Sequence, residues 1–176
     1  MSGVLGSRSG DVRVCALDDS HDLAPFTSGN GKLDQWLCDQ AYQATAQGTR
    51  TYVVLDERDV VVGYFAIVPH VVNRGDTPKK VGRGAPLQIP SILLAKLALS
   101  KELHGQGLGA ELLVRALATV IDAARVAGGK LVVVDAIDAD AAAFYRHHDF
   151  EPFPDQPNRL VMKLSTAARA LGINWP

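Results

Sequence analysis

AKLALSKELHGQGLGA, residues 95 to 110, is the stretch whose reading decides the fold. An apolar run ends in glycines at 105, 107 and 109, and a long segment of helical periodicity follows at once. Glycine removes side chains where the backbone turns, so the amides of Gln106 to Ala110 can face an anion while the helix start adds a favourable dipole. A glycine turn alone is a weak signal, with a plain tight turn before a helix as the default reading, so its neighbours carry the argument. Downstream, apolar residues at 108, 112, 113, 116, 117, 120, 121 and 124 form one helical stripe that ends at Gly128 and Gly129. LVVVDAI then reads as a fully buried strand, and the strand, turn, helix, strand order requires a right-handed crossover to a parallel neighbour.

Working outward, DVRVCAL (11–17) alternates like a half-buried strand, and the run after Ser28, a candidate cap, reads as one amphipathic helix stopped by Gly48. TYVVLD and VVVGYFAIVPHVV flank the short turn ERD, which predicts an antiparallel hairpin. Residues 73–86, rich in Gly, Pro and cations, are expected to form an exposed loop. After the crossover, DADAAAFYRHHD reads as a short helix with Asp138 as its N-cap, followed by the strands FEPF and NRLVMKL. The class is therefore α/β (α+β), with a mixed antiparallel and parallel sheet of about six to seven strands flanked by helices.

The chain has 176 residues, 47% of them hydrophobic, which suits one domain over 1–176, with 1–10 expected to be disordered and the tail 165–176 to add one helical turn. A formal charge of −1 argues against a uniformly basic nucleic-acid coat but allows a local basic face. No signal-peptide core or membrane-length apolar stretch is visible, so a cytoplasmic protein is expected. Cys15 and Cys38 read as small buried apolar residues in a reducing compartment. Gly105, Gly107 and Ala110 with Asp135 partly meet a dinucleotide-binding fingerprint, but the preceding hairpin and the short remainder leave no room for a doubly wound sheet. No Lys followed by Ser or Thr comes after the glycines, which excludes a P-loop.

The glycine turn, its crossover, and a helix carrying FY at 144–145 resemble the acyl-CoA-binding half of the Gcn5-related N-acetyltransferase (GNAT) family over most of the chain. The family's Q/RxxGxG/A is matched by His104, Gly105, Gln106, Gly107, Leu108 and Gly109, with a departure at His104, which as a neutral imidazole donates one hydrogen bond where arginine offers a fork. FTSGNGKLDQWL, GYFAIVP and IPSILLAKLALSKELHGQGLGAELL are together similar to the GNAT toxins of bacterial toxin-antitoxin modules. That resemblance implies acetyl-CoA as donor, the α-amine of aminoacyl-tRNA as acceptor, arrested translation, and a ribbon-helix-helix antitoxin as partner; a homodimer is a further expectation. A GNAT acting on a small amine or protein N-terminus, or a non-catalytic acyl-CoA-binding module, are the alternatives.

In that frame the main chain of Leu97, Ala98 and Leu99 is expected to pair with the pantetheine arm, His104 to Ala110 to hold the pyrophosphate, and Phe144 to pack on the cofactor or in the core. Tyr145 is the candidate general acid, because a phenol with a reference pKa near ~10 is protonated at neutral pH and can serve a departing thiolate. No residue stands out as general base: Asp135, Asp138, Asp140 and Glu102 are near in sequence but are types common at strand ends and caps. An α-amine, with a reference pKa of about 7.7 to 8.0, needs a base less than lysine does. Lys32, Arg74, Lys79, Lys80, Arg83 and Arg146 are the candidate tRNA-phosphate contacts. His147 and His148, adjacent on a helix, point in different directions, so no metal site is expected.

Overall fold

The computed structural model describes residues 11–176, so the expectation of disorder over 1–10 lies outside the described residues. Strands β1 (Arg13–Ala16), β2 (Arg50–Leu55), β3 (Val61–Asn73), β4 (Gln88–Leu99), β5 (Leu131–Asp135), β6 (Glu151–Phe153) and β7 (Gln156–Lys163) form a seven-stranded sheet in the order β1-β2-β3-β4-β5-β7-β6. β4 and β5 run parallel, whereas β1–β2, β2–β3, β5–β7 and β6–β7 are antiparallel. The helices are α1 (Gly31–Asp39), α2 (Ala41–Ala46), α3 (Lys79–Gly82), α4 (Leu108–Ala127), α5 (Ala139–His147) and α6 (Leu164–Leu171). The parallel pair is the one joined by the glycine turn and α4, as the crossover argument requires.

By contacts the chain divides into two compact units, one ending at Ile67 and including Lys96–Ala116, the other made of Val68–Ala95 and Leu117–Pro176. In the first unit Leu37, Ala41, Val53 and Tyr64 are fully buried in one cluster with Phe26, Leu55 and Ala98. Trp36 stacks on Tyr64 at 6.0 Å and carries the Lys96 ammonium over its outer face at 5.4 Å, so it belongs to the core edge, as its place on the helical stripe implies. Gly63 lies where a side chain would meet the Ala98 carbonyl at 3.3 Å, which gives GYFAIVP a packing reason for its glycine. In the second unit Val72, Val81, Ala85, Ile89, Leu131, Val133, Phe153 and Val161 form the core. All eight apolar positions expected along α4 are buried.

Several expectations need correction. The long first helix breaks at Gln40, whose φ of −125° leaves the helical region, yet Leu37 and Ala41 on either side are both fully buried, so the periodicity reads straight through the break. Its cap is Asn30, which accepts from the Leu33 N–H at 3.1 Å; Ser28 instead donates its hydroxyl to the Asp34 carboxylate at 2.6 Å. The loop at 73–86 is largely built: it holds a 3-10 turn and α3, buries Thr77, Val81 and Ala85, and is tied by the Arg74 guanidinium donating to the Ala85 carbonyl at 2.8 Å. The tail forms the two-turn helix α6, with Leu164, Ala167 and Ala168 buried and Gly172 closing it at φ 66°. Cys15 is half-buried and Cys38 exposed; neither is a core residue, and partial burial with Asp39 and Asp34 nearby pushes the Cys38 thiol up.

Asp138 is the N-cap of α5, accepting from the Ala141 N–H at 2.8 Å. Asp138→Ala is expected to lower stability by about 1 kcal/mol, against a few tenths for Asp140→Ala in the same first turn. Urea denaturation midpoints check this, and equal midpoints for the two variants would contradict the capping assignment.

Candidate active site

The residues expected to hold the cofactor lie in the first unit and the expected acid in the second, and each group is built by its own elements. On the first side, the parallel ladder with β5 covers Ser91–Leu94 of β4, and Leu97, Ala98 and Leu99 lie beyond it. Ala98 is buried, while Leu97 and Leu99 are half-buried. A 3-10 turn, Lys101–Leu103, follows, anchored by Ser100 N–H to the Val62 carbonyl (2.8 Å) and Lys101 N–H to the Thr27 carbonyl (2.8 Å). The second bond joins the FTSGNG segment to the approach of the glycine turn, so two of the motifs picked out from sequence meet here.

Gly105 and Gly107 sit at φ 77° and 76°, in the left-handed region that costs other residues strain. A Cβ at either would meet nothing within 4 Å, so it is the backbone conformation, not lack of space, that calls for glycine. Among the described residues, no hydrogen bond engages the N–H groups of Gly105, Gln106 and Gly107. The first N–H groups of α4, opening at Leu108 and passing through Gly109 and Ala110, lack partners one turn back as in any helix. A row of free donors at the positive end of a 20-residue helix is a fitting cradle for a diphosphate. His104 contributes otherwise than its place in the family motif suggests. Its Nε2 bonds the Leu99 carbonyl at 2.9 Å, so the ring braces the turn against β4, and in the neutral form its remaining nitrogen is an acceptor unsuited to phosphate.

On the second side, β5 is buried from Leu131 to Val134 and delivers the chain at Asp135 to the capped helix α5. Tyr145 is 7% exposed, flanked by Phe144 and Phe150 with ring centres at 5.4 Å each. Among the described residues its hydroxyl has no hydrogen-bond partner, and burial pushes the phenol well above its ordinary value. The group therefore keeps its proton at any working pH and can only donate to, or protonate, what is brought to it. Phe144 is half-buried and packs on His148 as well as Tyr145, at 4.8 and 5.4 Å. His147 and His148 touch only as rings, 5.1 Å apart.

Asp135, one of the carboxylates weighed as a base, is held by both nitrogens of the Arg159 fork, Nε to Oδ1 at 2.8 Å and Nη2 to Oδ2 at 2.9 Å. The same guanidinium reaches His70 Nε2 from Nη1 at 3.3 Å, and burial together with this positive charge holds His70 below the ordinary histidine value. His70 and Arg159 were missed from sequence. The only signal for them is the β5–β7 register, which sets Arg159 opposite Asp135. With Asp138 used as a cap, two of the four carboxylates considered as bases are already employed, while Glu102 lies exposed in the 3-10 turn and Asp140 exposed in α5.

The cationic residues expected at tRNA do not form one uniform set. Arg74 is turned inward to Ala85, and Lys80 pairs with Glu151 at 3.0 Å on the surface. Lys79 and Arg83 remain exposed on α3 and its C-cap, as does Arg146 on α5; Lys32 is exposed on α1 in the first unit.

A model of the acetyltransferase (GNAT) domain matches residues 47–152. A tRNA-acetylating toxin of Mycobacterium tuberculosis is 34% identical over 156 residues, covering 89% of this chain and 94% of that protein. The structure is similar to AtaT complexed with acetyl-methionyl-tRNAfMet, with a TM-score of 0.82, 26% identity and coverage of 92% of this chain and 99% of that one. It is similar also to a tyrosine-to-phenylalanine mutant of the AtaT toxin bound to the C-terminus of the antitoxin AtaR and acetyl-CoA, with a TM-score of 0.76, 26% identity, and coverage of 92% and 99%.

Gly107→Ala is expected to weaken acetyl-CoA binding about tenfold, because a left-handed alanine strains or re-aims the amides by about 1 to 2 kcal/mol. Gly75→Ala, equally open but at an ordinary φ, is the silent control. Titration calorimetry on both variants decides it, and equal affinities would contradict the assignment.

Proposed function

Because the chain belongs to the GNAT acetyltransferase family, we propose that it moves an acetyl group from acetyl-CoA to the α-amino group of aminoacyl-tRNA and so blocks translation as the toxin of a toxin-antitoxin pair. The observation that supports the reading best is likeness along the chain and in three dimensions to tRNA-acetylating proteins, joined to a turn whose free amides suit a diphosphate. The bound donor supplies an activated acetyl thioester. Main-chain donors of residues 105 to 110 bind its phosphates, the edge of Leu97 to Leu99 pairs with its extended arm, and Tyr145 gives a proton to the leaving sulfur. Burial of that phenol is no obstacle, since dry surroundings also raise the affinity of a thiolate for a proton.

The preference for an α-amine has a physical basis in this chain. Asp135 and Asp138 are occupied by Arg159 and by the start of α5. An amine substantially neutral near pH 7 then has the advantage over lysine, whose proton must be removed first. Lys79, Arg83, Arg146 and Lys32 are offered as phosphate contacts for the tRNA, and Arg74 serves as a brace for its loop. We further infer a ribbon-helix-helix antitoxin as partner, a homodimer, and action in the cytoplasm, where charged tRNA and acetyl-CoA are found. Among the described residues, no helix is long and apolar enough to cross a membrane. The two units are taken as one catalytic domain, since the family match runs through both.

Incubated with acetyl-CoA and charged tRNA, the protein should acetylate the aminoacyl group, and its expression should arrest growth. Tyr145→Phe should lower the rate by about 10² to 10⁴-fold, the range for a lost general acid, with acetyl-CoA affinity unchanged. Acetylation of small amines or peptide N-termini with aminoacyl-tRNA left untouched would overturn the tRNA reading, and no transfer to any amine would leave an acyl-CoA-binding module.

A further inference from the structure

A second feature of the second unit is left idle by the transfer chemistry. A cleft of about 570 Å³ is lined by Arg83, Arg125, Lys130 and Lys163, with Leu131 at its floor and Trp175 on its wall, and no Asp or Glu lines it. Among the described residues, no hydrogen bond or ion pair engages any of the four cationic heads. Their backbones are fixed. Lys130 donates its N–H to the Pro90 carbonyl at 2.7 Å and accepts from the Leu164 N–H at 2.9 Å, while Lys163 stands opposite Leu131 in the β5–β7 register. Arg125 occupies the last turn of α4, and Arg83 follows α3 between the buried residues Val81 and Ala85.

Four like charges around one cleft repel each other, and the carboxylates nearest them, Asp149 and Glu151, lie with Lys163 in an adjoining groove where Glu151 is already paired with Lys80; with the carboxyl of Pro176 on its wall, the cleft keeps an excess of positive charge. We propose that the cleft binds an unpaired, phosphate-bearing stretch of the tRNA substrate; this rests on the aminoacyl-tRNA reading above and adds a site to it. Lysine and arginine heads on a fixed frame suit successive phosphates, and the half-buried indole of Trp175 offers a flat face for a base. An acidic peptide would satisfy the cations and leave the indole without a role, which favours nucleic acid. The cleft lies at the Leu131 end of β5, whereas α5 and Tyr145 follow from its Asp135 end, about 13 Å away at about 3.3 Å per residue. Contacts here hold the RNA without touching the reacting atoms.

Uncharged tRNA binding, followed by fluorescence anisotropy over a salt series, tests this without requiring any transfer. The double variant Arg125→Glu/Lys130→Glu should weaken binding at least about tenfold and lower the slope of log K against log salt by about 1.4, two contacts at about 0.7 each. Trp175→Ala should weaken it about fivefold or more with the salt slope unchanged. In the transfer assay the double variant should raise KM for aminoacyl-tRNA and leave kcat and the acetyl-CoA KM alone. Arg125→Gln/Lys130→Gln, with an intermediate effect and an unaltered melting curve, guards against misfolding. An unchanged tRNA affinity and salt slope, or a loss confined to an acidic antitoxin segment, would overturn the proposal. A wild type that binds tRNA through the cleft yet never acetylates it would overturn the function above and leave the cleft standing.

Discussion

One backbone conformation governs the rest: two left-handed glycines, 105 and 107, set between the end of β4 and the start of α4. They reverse the chain in so few residues that the amides of the turn find no carbonyl, and they do so at the positive end of the longest helix in the described chain. Unpaired donors are costly when buried and tolerable when a solvent or ligand can reach them. The open space around both glycines keeps them reachable. The apolar stripe of α4, buried at all eight expected positions, holds the turn in place by packing, and the His104 bond to Leu99 braces it from the strand side.

The second unit applies the opposite electrostatic logic. There the polar groups near the end of β5 are paired off: Asp135 by Arg159, Asp138 by an amide of α5, and His70 by the same guanidinium, with burial and that positive charge holding it below the ordinary histidine value. Tyr145 stands apart: its ring is buried, while its hydroxyl has no partner among the described residues and is not one of the fully buried polar atoms left unsatisfied, so a ligand can reach it. With Asp135 and Asp138 occupied, Glu102 and Asp140 are the two candidate bases left exposed, and the proposed α-amine acceptor is the one that needs such a base least. The same unit gathers four cations without ion-pair partners among the described residues, from α3, α4, the start of β5 and the end of β7, around the cleft at Leu131.

Much of this was legible in the residues, and for identifiable reasons. The α4 stripe, the hairpin over 50–73, the Asp138 cap and the parallel crossover are signals carried by segments consecutive in the chain, and the structure has them where they were expected. The misreadings came from interactions between distant segments. Residues 73–86 look like a loop by composition but are ordered by Arg74 reaching Ala85 and by Val81 entering a core completed by Leu131 and Val161. The helix break at Gln40 leaves the apolar period intact and so leaves no trace in it. Arg159 and His70 join Asp135 only through strand pairing, and the cationic cleft gathers residues 83, 125, 130 and 163, which no window along the chain contains. At the glycine turn the family motif is matched by residue type, and the geometry adds that one ring nitrogen of His104 is bonded to the Leu99 carbonyl.

The most direct test of the central claim observes the amides themselves. In a titration of isotope-labelled protein with acetyl-CoA, followed by amide NMR, the resonances of Gly105, Gln106 and Gly107 should move downfield together and saturate with the affinity measured by calorimetry. If acetyl-CoA binds while those three resonances stay where they were, the diphosphate is held elsewhere and the account of this turn is wrong.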